Sequence, residues 1–254
     1  MPNYEKLVVP VFLAMTGLGI SLILNPPLVW LLAIVTVVLV CIGTDGVIRS
    51  HPRIYLRNVG YTLTFWILPG LLTMGASMFL RLLPPGPMAI LGLLLSGVLL
   101  TIVILAEYHI VDKRDSSYRL ARLFLNISSY MAALALYSAI YSVKVRSIQS
   151  ATSILIISTL LAAEILKENE RNAVRIWLYA LVAGLVVGET TWGLNYWPIG
   201  GVAGGFFLVV VFYLVTGLIQ RHFLSKLTKT VVAEYSFVAF ISFMFLFSSR
   251  FWVH

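Results

Sequence analysis

Residues 88–106 read MAILGLLLSGVLLTIVILA, nineteen consecutive positions without a charged side chain. As an α-helix rising 1.5 Å per residue, such a run is about 28 Å long, close to the thickness of a bilayer's hydrocarbon core. The run is continuously apolar rather than alternating, so it reads as a helix and not as a strand of a membrane barrel. Eight further runs share its character: Leu7–Leu24, Pro27–Ile42, Val59–Leu80, Leu123–Tyr141, Ile148–Leu166, Val174–Leu194, Ile199–Ile219 and Val231–Phe247. The second and the ninth are short or ragged, so the expected number of spans is eight or nine. Of the 254 residues, 60% are hydrophobic and only 11% charged, and the mean hydropathy is +0.96. Soluble domains carry about a quarter charged residues, so this chain cannot cover a water-facing surface. The expected fold class is all-α, a polytopic integral membrane helix bundle. The first run does not read as a cleavable signal peptide, because its apolar stretch is long and no small-x-small site follows it before Asn25-Pro26-Pro27.

The connections alternate in character. Asn25-Pro26-Pro27, Arg81 to Pro87, Ser142 to Ser147 and Asn195 to Pro198 are terse, whereas the others carry the charge. With nine spans, fourteen of the eighteen Lys and Arg residues fall on one side, and Arg81, Lys144, Arg146 and Arg250 on the other. Basic loops stay in the cytoplasm. The expected location is therefore the cell membrane, multi-pass, with the amino terminus cytoplasmic and the carboxyl terminus outside. No connection exceeds about sixteen residues, so residues 1–254 are expected to form a single transmembrane domain with no soluble domain. The net charge of +8 follows from this orientation, and no nucleic-acid partner is expected. Membrane lipids are expected partners instead, with anionic head groups drawn to the cytoplasmic rim at about 1 kcal/mol per Lys or Arg. A membrane-protein partner or a homo-oligomer is the other expectation. The single cysteine, Cys41, excludes an internal disulfide and a cysteine-based zinc site.

Motif reading is mostly exclusion. The chain has no Gly-x-x-x-x-Gly-Lys phosphate loop, no His-Glu-x-x-His zinc helix and no Gly-x-Ser-x-Gly elbow. All six lysines fall in loops or at helix ends, which argues against a retinal-type Schiff base. Four histidines are too few for the histidine boxes of a membrane desaturase. His51, His109 and His222 map to the basic rim with Asp45, Glu107, Asp112 and Glu164. Imidazole beside carboxylate is the chemistry of a zinc or iron hydrolase, and these are the candidate catalytic residues. No pair has the i, i+4 spacing that sets two ligands on one helical face, so neither a bound metal nor a cofactor is expected. His51-Pro52 reads instead as the start of a helix.

Three features lie deeper. Glu189 follows Arg175 by fourteen residues, about 21 Å along a helix, and a carboxylate inside a membrane is a functional candidate by default. It is expected to face the bundle interior as a binding residue, with Arg81 or Arg250 within reach. The alternative is a shallow, hydrated residue, since Trp192, Tyr196 and Trp197 mark an interface close by. Asn126, Ser129, Tyr130, Tyr137 and Tyr141 recur at three- and four-residue steps on one helical face. Asn126, Tyr130 and Tyr137 are binding candidates if the stripe lines a pathway, and packing groups if it meets another helix. Gly184, Gly188 and Gly204 are expected where the seventh and eighth runs pack on each other, and Pro10 and Pro69 are expected to kink their spans.

A weak periodicity joins the rim residues. Asp45, Glu107 and Glu164 each end a span, and Arg57, Arg119 and Arg175 follow by 12, 12 and 11 residues. Repeated helical hairpins would give this pattern, and so would interface preference at helix ends. The expected function is non-enzymatic, as a transporter-like protein or a subunit of a membrane complex. The alternative is an enzyme of the cytoplasmic rim acting on a lipid or isoprenoid, and a receptor or regulatory membrane protein is the third class.

Overall fold

The computed structural model describes residues 4–25, 27–50, 63–112, 115–143, 147–170, 172–197, 199–226 and 228–249. Among them the chain is all helical, without strands, and a helix stands at each of the nine expected runs. These are α1 (Tyr4–Ser21), α2 (Leu28–Ile48), α3 (Ile67–Phe79), α4 (Pro87–Ile110), α5 (Tyr118–Val143), α6 (Ser147–Leu166), α7 (Ala173–Leu194), α8 (Gly201–Phe223) and α9 (Lys229–Ser249). Six of them, α2 and α4 to α8, are long and apolar enough to cross a membrane. Shorter apolar helices cover Lys6–Ser21 and Ile67–Leu82. Their apolar character suggests a membrane location.

Local chemistry sets the helix ends. Pro87 occupies the first turn of α4, where its missing N–H costs nothing. Gly86 before it has φ 121°, a conformation that suits only glycine. The Asn172 side chain accepts from the Val174 N–H at 3.0 Å and caps α7. After α8, Ser225 turns left-handed with φ 53°, and the Lys226 N–H bonds back to the Arg221 carbonyl at 3.0 Å. Two expected boundaries shift. The second run, expected to end at Ile42, continues as helix past Asp45 to Ile48. Pro69 does not kink a continuous span: the chain forms a 3₁₀ turn over Leu63–Trp66, and α3 begins at Ile67, so proline lies in a first turn that tolerates it.

The chain forms two compact units, Met1–Ala135 and Leu136–His254, with α5 contributing to both. In the first unit α1 and α2 pack antiparallel. Gly43 faces Pro10, its notional Cβ 2.7 Å from the proline Cβ, and Gly17 faces Thr36. Both pairs move seven residues in opposite directions, as antiparallel helices require. Gly70 brings α3 onto Cys41 of α2, and Gly92 brings α4 onto Leu80. Ala14, Val40, Leu68, Val103 and Ile104 form part of the buried interior.

In the second unit the glycines again set the contacts, but with partners other than those expected. Gly184 and Gly188 of α7 lie against α6, where a Cβ on Gly184 would stand 2.6 Å from the Leu155 carbonyl oxygen. Gly204 and Gly205 of α8 lie against α5, where a Cβ on Gly205 would stand 2.6 Å from the Ser138 backbone nitrogen. The expected mutual glycine seam of α7 and α8 is thus replaced by two seams, α6 with α7 and α5 with α8. Small residues let backbones approach wherever a neighbour is opposite, and glycine spacing alone names no partner.

Hydroxyls on these helices bond largely within their own helix. Thr36, Thr44, Thr101, Thr191 and Thr216 each donate to a carbonyl four residues back, at 2.7–2.8 Å. An apolar medium supplies no alternative acceptor.

The close approaches generate a direct test. Gly184→Leu and Gly205→Leu should each destabilise the detergent-solubilised protein by about 1–3 kcal/mol through overpacking. Gly46 has open space around its notional Cβ, so Gly46→Ala should stabilise α2 by about 0.5–1 kcal/mol. Thermal melting of the three variants reads both signs.

Candidate functional site

Acidic residues recur near the ends of alternate helices. Asp45 lies three residues before the end of α2, Glu107 three before the end of α4 and Glu164 two before the end of α6. The equivalent place in α8 holds Gln220. Asp45 pairs with Arg49 one turn on. Glu164 is 2% exposed, with Lys167 Nζ 2.5 Å from its carboxylate. Glu107 is fully buried, and Arg122 of α5 is 7% exposed. A buried charge needs a partner, and neither of these two is without one. The arginines of the periodicity behave differently: Arg119 is exposed, and Arg175 is exposed and meets Glu170 at 3.4 Å. Arg57 lies outside the described residues.

An organised polar contact joins His109, at the end of α4, to Asp115, before α5. His109 Nδ1 lies 2.7 Å from Asp115 Oδ2. The other carboxylate oxygen, Oδ1, accepts from the Ser117 N–H at 2.9 Å, which ties this carboxylate to the start of α5. An ionised carboxylate can only accept, so Nδ1 carries the proton and Nε2 is left as the nitrogen that can take one up. The hydrogen bond from His109, followed by that from the Ser117 backbone, holds the Asp115 carboxyl below its ordinary value of 3.8. Tyr108 meets the imidazole edge-on, with ring centroids 5.7 Å apart. Chemically, this is a base with an orienting carboxylate, both partly exposed.

The other candidates are distributed as follows. His222, at the end of α8, lies 3.3 Å from the Tyr179 hydroxyl through Nε2, with the rings tilted and 5.8 Å apart. Asp112 is partly exposed. His51 lies outside the described residues. No three His, Cys, Asp or Glu side chains among the described residues gather as a metal site would require.

The polar stripe of α5 divides in character. Tyr137 is fully buried, its hydroxyl 2.6 Å from that of Ser158 and its ring edge-on to Phe212. Tyr141 is also buried and donates to the Leu194 carbonyl at 2.8 Å. Ser129 bonds within its own helix, to Leu125. Asn126 and Tyr130 are half-buried and have partners.

Glu189 departs from expectation. It is exposed on α7, five residues before the helix ends, beside the exposed Val186 and Trp192. Its neighbours Val187 and Gly188 occupy the face that packs inward, and one residue further on, about 100° round the helix, the side chain turns outward. Arg81 is held elsewhere: its Nη1 donates to the Ser21 and Leu24 carbonyls at 3.1 and 3.2 Å, closing the end of α1. Arg250 lies outside the described residues.

Sequence reading passed over Asp115 and Tyr179. Asp115 follows His109 by six residues, off any helical repeat, and only the turn between two helices brings them together. Asp115-Ser116-Ser117 before an apolar run is itself a helix-start signature. Tyr179 carried no signal, because its partner His222 is 43 residues away.

The pair at the turn makes a prediction with a sign. The Asp115 carboxyl is depressed when folded, so the contact stabilises the turn above the unfolded carboxylate value and is lost as pH falls through the lower folded value. Carbon-13 titration of Asp115 should give a midpoint below 3.8, rising in His109→Ala. A midpoint unmoved by that substitution would contradict the contact.

In comparison with known proteins, a family described as a protein of unknown function (DUF5656) matches residues 8–249. No curated protein and no solved structure matches the chain.

Proposed function

The chain belongs to the DUF5656 family, and we propose that it is a multi-pass membrane protein without covalent chemistry, acting as a subunit of a membrane complex. One observation carries this choice over a transporter-like role. The tyrosine stripe, the best sequence candidate for a polar pathway, uses its Tyr137 and Tyr141 hydroxyls to fasten α5 to Ser158 and to the Leu194 carbonyl. Those bonds support packing rather than passage. Glu189 is then the polar contact of α7 with a neighbouring chain, at the level where the exposed Trp192 and Tyr196 favour an interface. The alternative, an enzyme of the cytoplasmic rim acting on a lipid or isoprenoid, draws on the His109–Asp115 pair.

In this reading residues 1–254 are one transmembrane domain of eight or nine spans in the cell membrane, amino terminus inside. The basic rim meets anionic head groups, as the fourteen-to-four division of basic residues supports.

Two experiments test it. With Cys41 replaced by serine, single cysteines at Arg119 and Lys226 should react only from the cytoplasmic side, and those at Pro85 and Tyr196 only from outside. Labelling of all four from one side would overturn the topology. Extraction from native membranes in mild detergent should keep the chain in a stoichiometric assembly larger than its own 28.2 kDa. Glu189→Gln should weaken that assembly while leaving thermal stability unchanged. A lone chain in both preparations would overturn the subunit reading.

A further inference from the structure

The first unit contains a cavity of about 170 Å³ between the end of α3, the first half of α4 and the middle of α5. Phe79 and Leu80, Leu95 and Leu99, and Leu134 supply its walls. Its hydroxyl, that of Ser96, donates to the Gly92 carbonyl at 2.7 Å, within its own helix. Ordered water needs two to four polar partners, and apolar cavities of this kind stay dry. The chemistry that matches such a space is hydrocarbon. Pockets that enclose whole small molecules measure roughly 300–1,000 Å³, so this space takes a segment of a chain whose remainder lies outside it. It is half open, and its walls belong to apolar helices, two of which, α4 and α5, are long enough to cross a membrane.

Charge identifies the rest of the molecule. Arg81 follows Leu80 directly and is exposed. Both of its hydrogen bonds leave from Nη1, to the last carbonyls of α1. These bonds hold the guanidinium against the end of α1, on the residue that follows the cavity-lining Leu80, and a guanidinium carries five N–H donors. The remaining donors match the fork of a phosphate or carboxylate. The proposed topology sets this end on the side with four basic residues, Arg81 among them.

We propose that the cavity between α3, α4 and α5 is a binding site for one acyl chain of an anionic phospholipid, whose head group is held by Arg81. The proposal rests on the reading that these helices span a membrane. Apolar packing around a confined chain retains it, and the guanidinium selects the charge of its head.

The test uses the full chain in phosphatidylcholine vesicles doped with phosphatidylglycerol bearing a photoreactive group within one acyl chain. After illumination, label is located by peptide mass spectrometry. Label should concentrate on the cavity residues of α3, α4 and α5 over the exposed Leu178 and Leu181 of α7. Ser96→Leu and Ala135→Phe, which fill the cavity from two helices, should each lower cavity label about tenfold, equivalent to ~1.4 kcal/mol of retention. Label on α7 should stay constant, and it identifies a folded variant. Arg81→Gln should remove the preference for the phosphatidylglycerol probe over a phosphatidylcholine probe with the same chain. Cavity label no higher than α7 label, or unchanged by both filling variants, would overturn the site. Equal labelling by the two probes in the unaltered protein would overturn the role of Arg81. Absence of label from α7 would overturn the membrane reading beneath both.

Discussion

The outward faces of α2, α4 and α7 are built from Trp30, Leu31, Ile34, Leu91, Leu94, Val98, Leu178, Leu181 and their like, all exposed. Water does not tolerate apolar surface on that scale, and a bilayer does. Once the solvent is hydrocarbon, the backbone must satisfy itself, which leaves helices as the structure for continuously apolar runs. The same constraint makes the Thr and Ser hydroxyls bond to the preceding turn of their own helices. It also removes hydrophobic attraction between helices, so that close packing has to hold them together.

Glycine is the means of that packing. Gly43 against Pro10, Gly184 against Leu155 and Gly205 against Ser138 each join two helices at backbone distance. Asp45, Glu107, Glu164 and Gln220 occupy nearly the same place in α2, α4, α6 and α8, which is what stacked helical hairpins would produce. Asp45 and Glu164 take partners within their own turn, Arg49 and Lys167. Local pairs at i+3 and i+4 need no second helix to form.

Much of the fold was legible because one signal dominates this sequence. An uninterrupted run such as Met88–Ala106 has one reading at the secondary-structure level, and all nine runs hold helices. What was not legible depends on partners. The spacing of Gly184, Gly188 and Gly204 announced close approach but could not say that α6 and α5 would supply the other side. Pro69 looked like a kink because sequence does not reveal where a helix restarts after a 3₁₀ turn. Glu189 looked inward by depth alone, whereas its angular position beside Gly188 puts it outside. The site was less legible still. His109 and Glu107 were visible as residue types, but the Asp115 that orients His109 lies across a turn, and the cavity of α3, α4 and α5 is lined by side chains indistinguishable from ordinary core.

The central claim is that the apolar outer faces of these helices meet hydrocarbon. Spin labels placed singly at Leu91, Leu94 and Val98 of α4, all more than half exposed, test it in vesicles through collisions with oxygen and with a water-soluble nickel chelate. The account predicts strong oxygen contact and little nickel contact at all three, with oxygen contact increasing toward the middle of the helix. Strong nickel contact at these positions in the folded protein would contradict it.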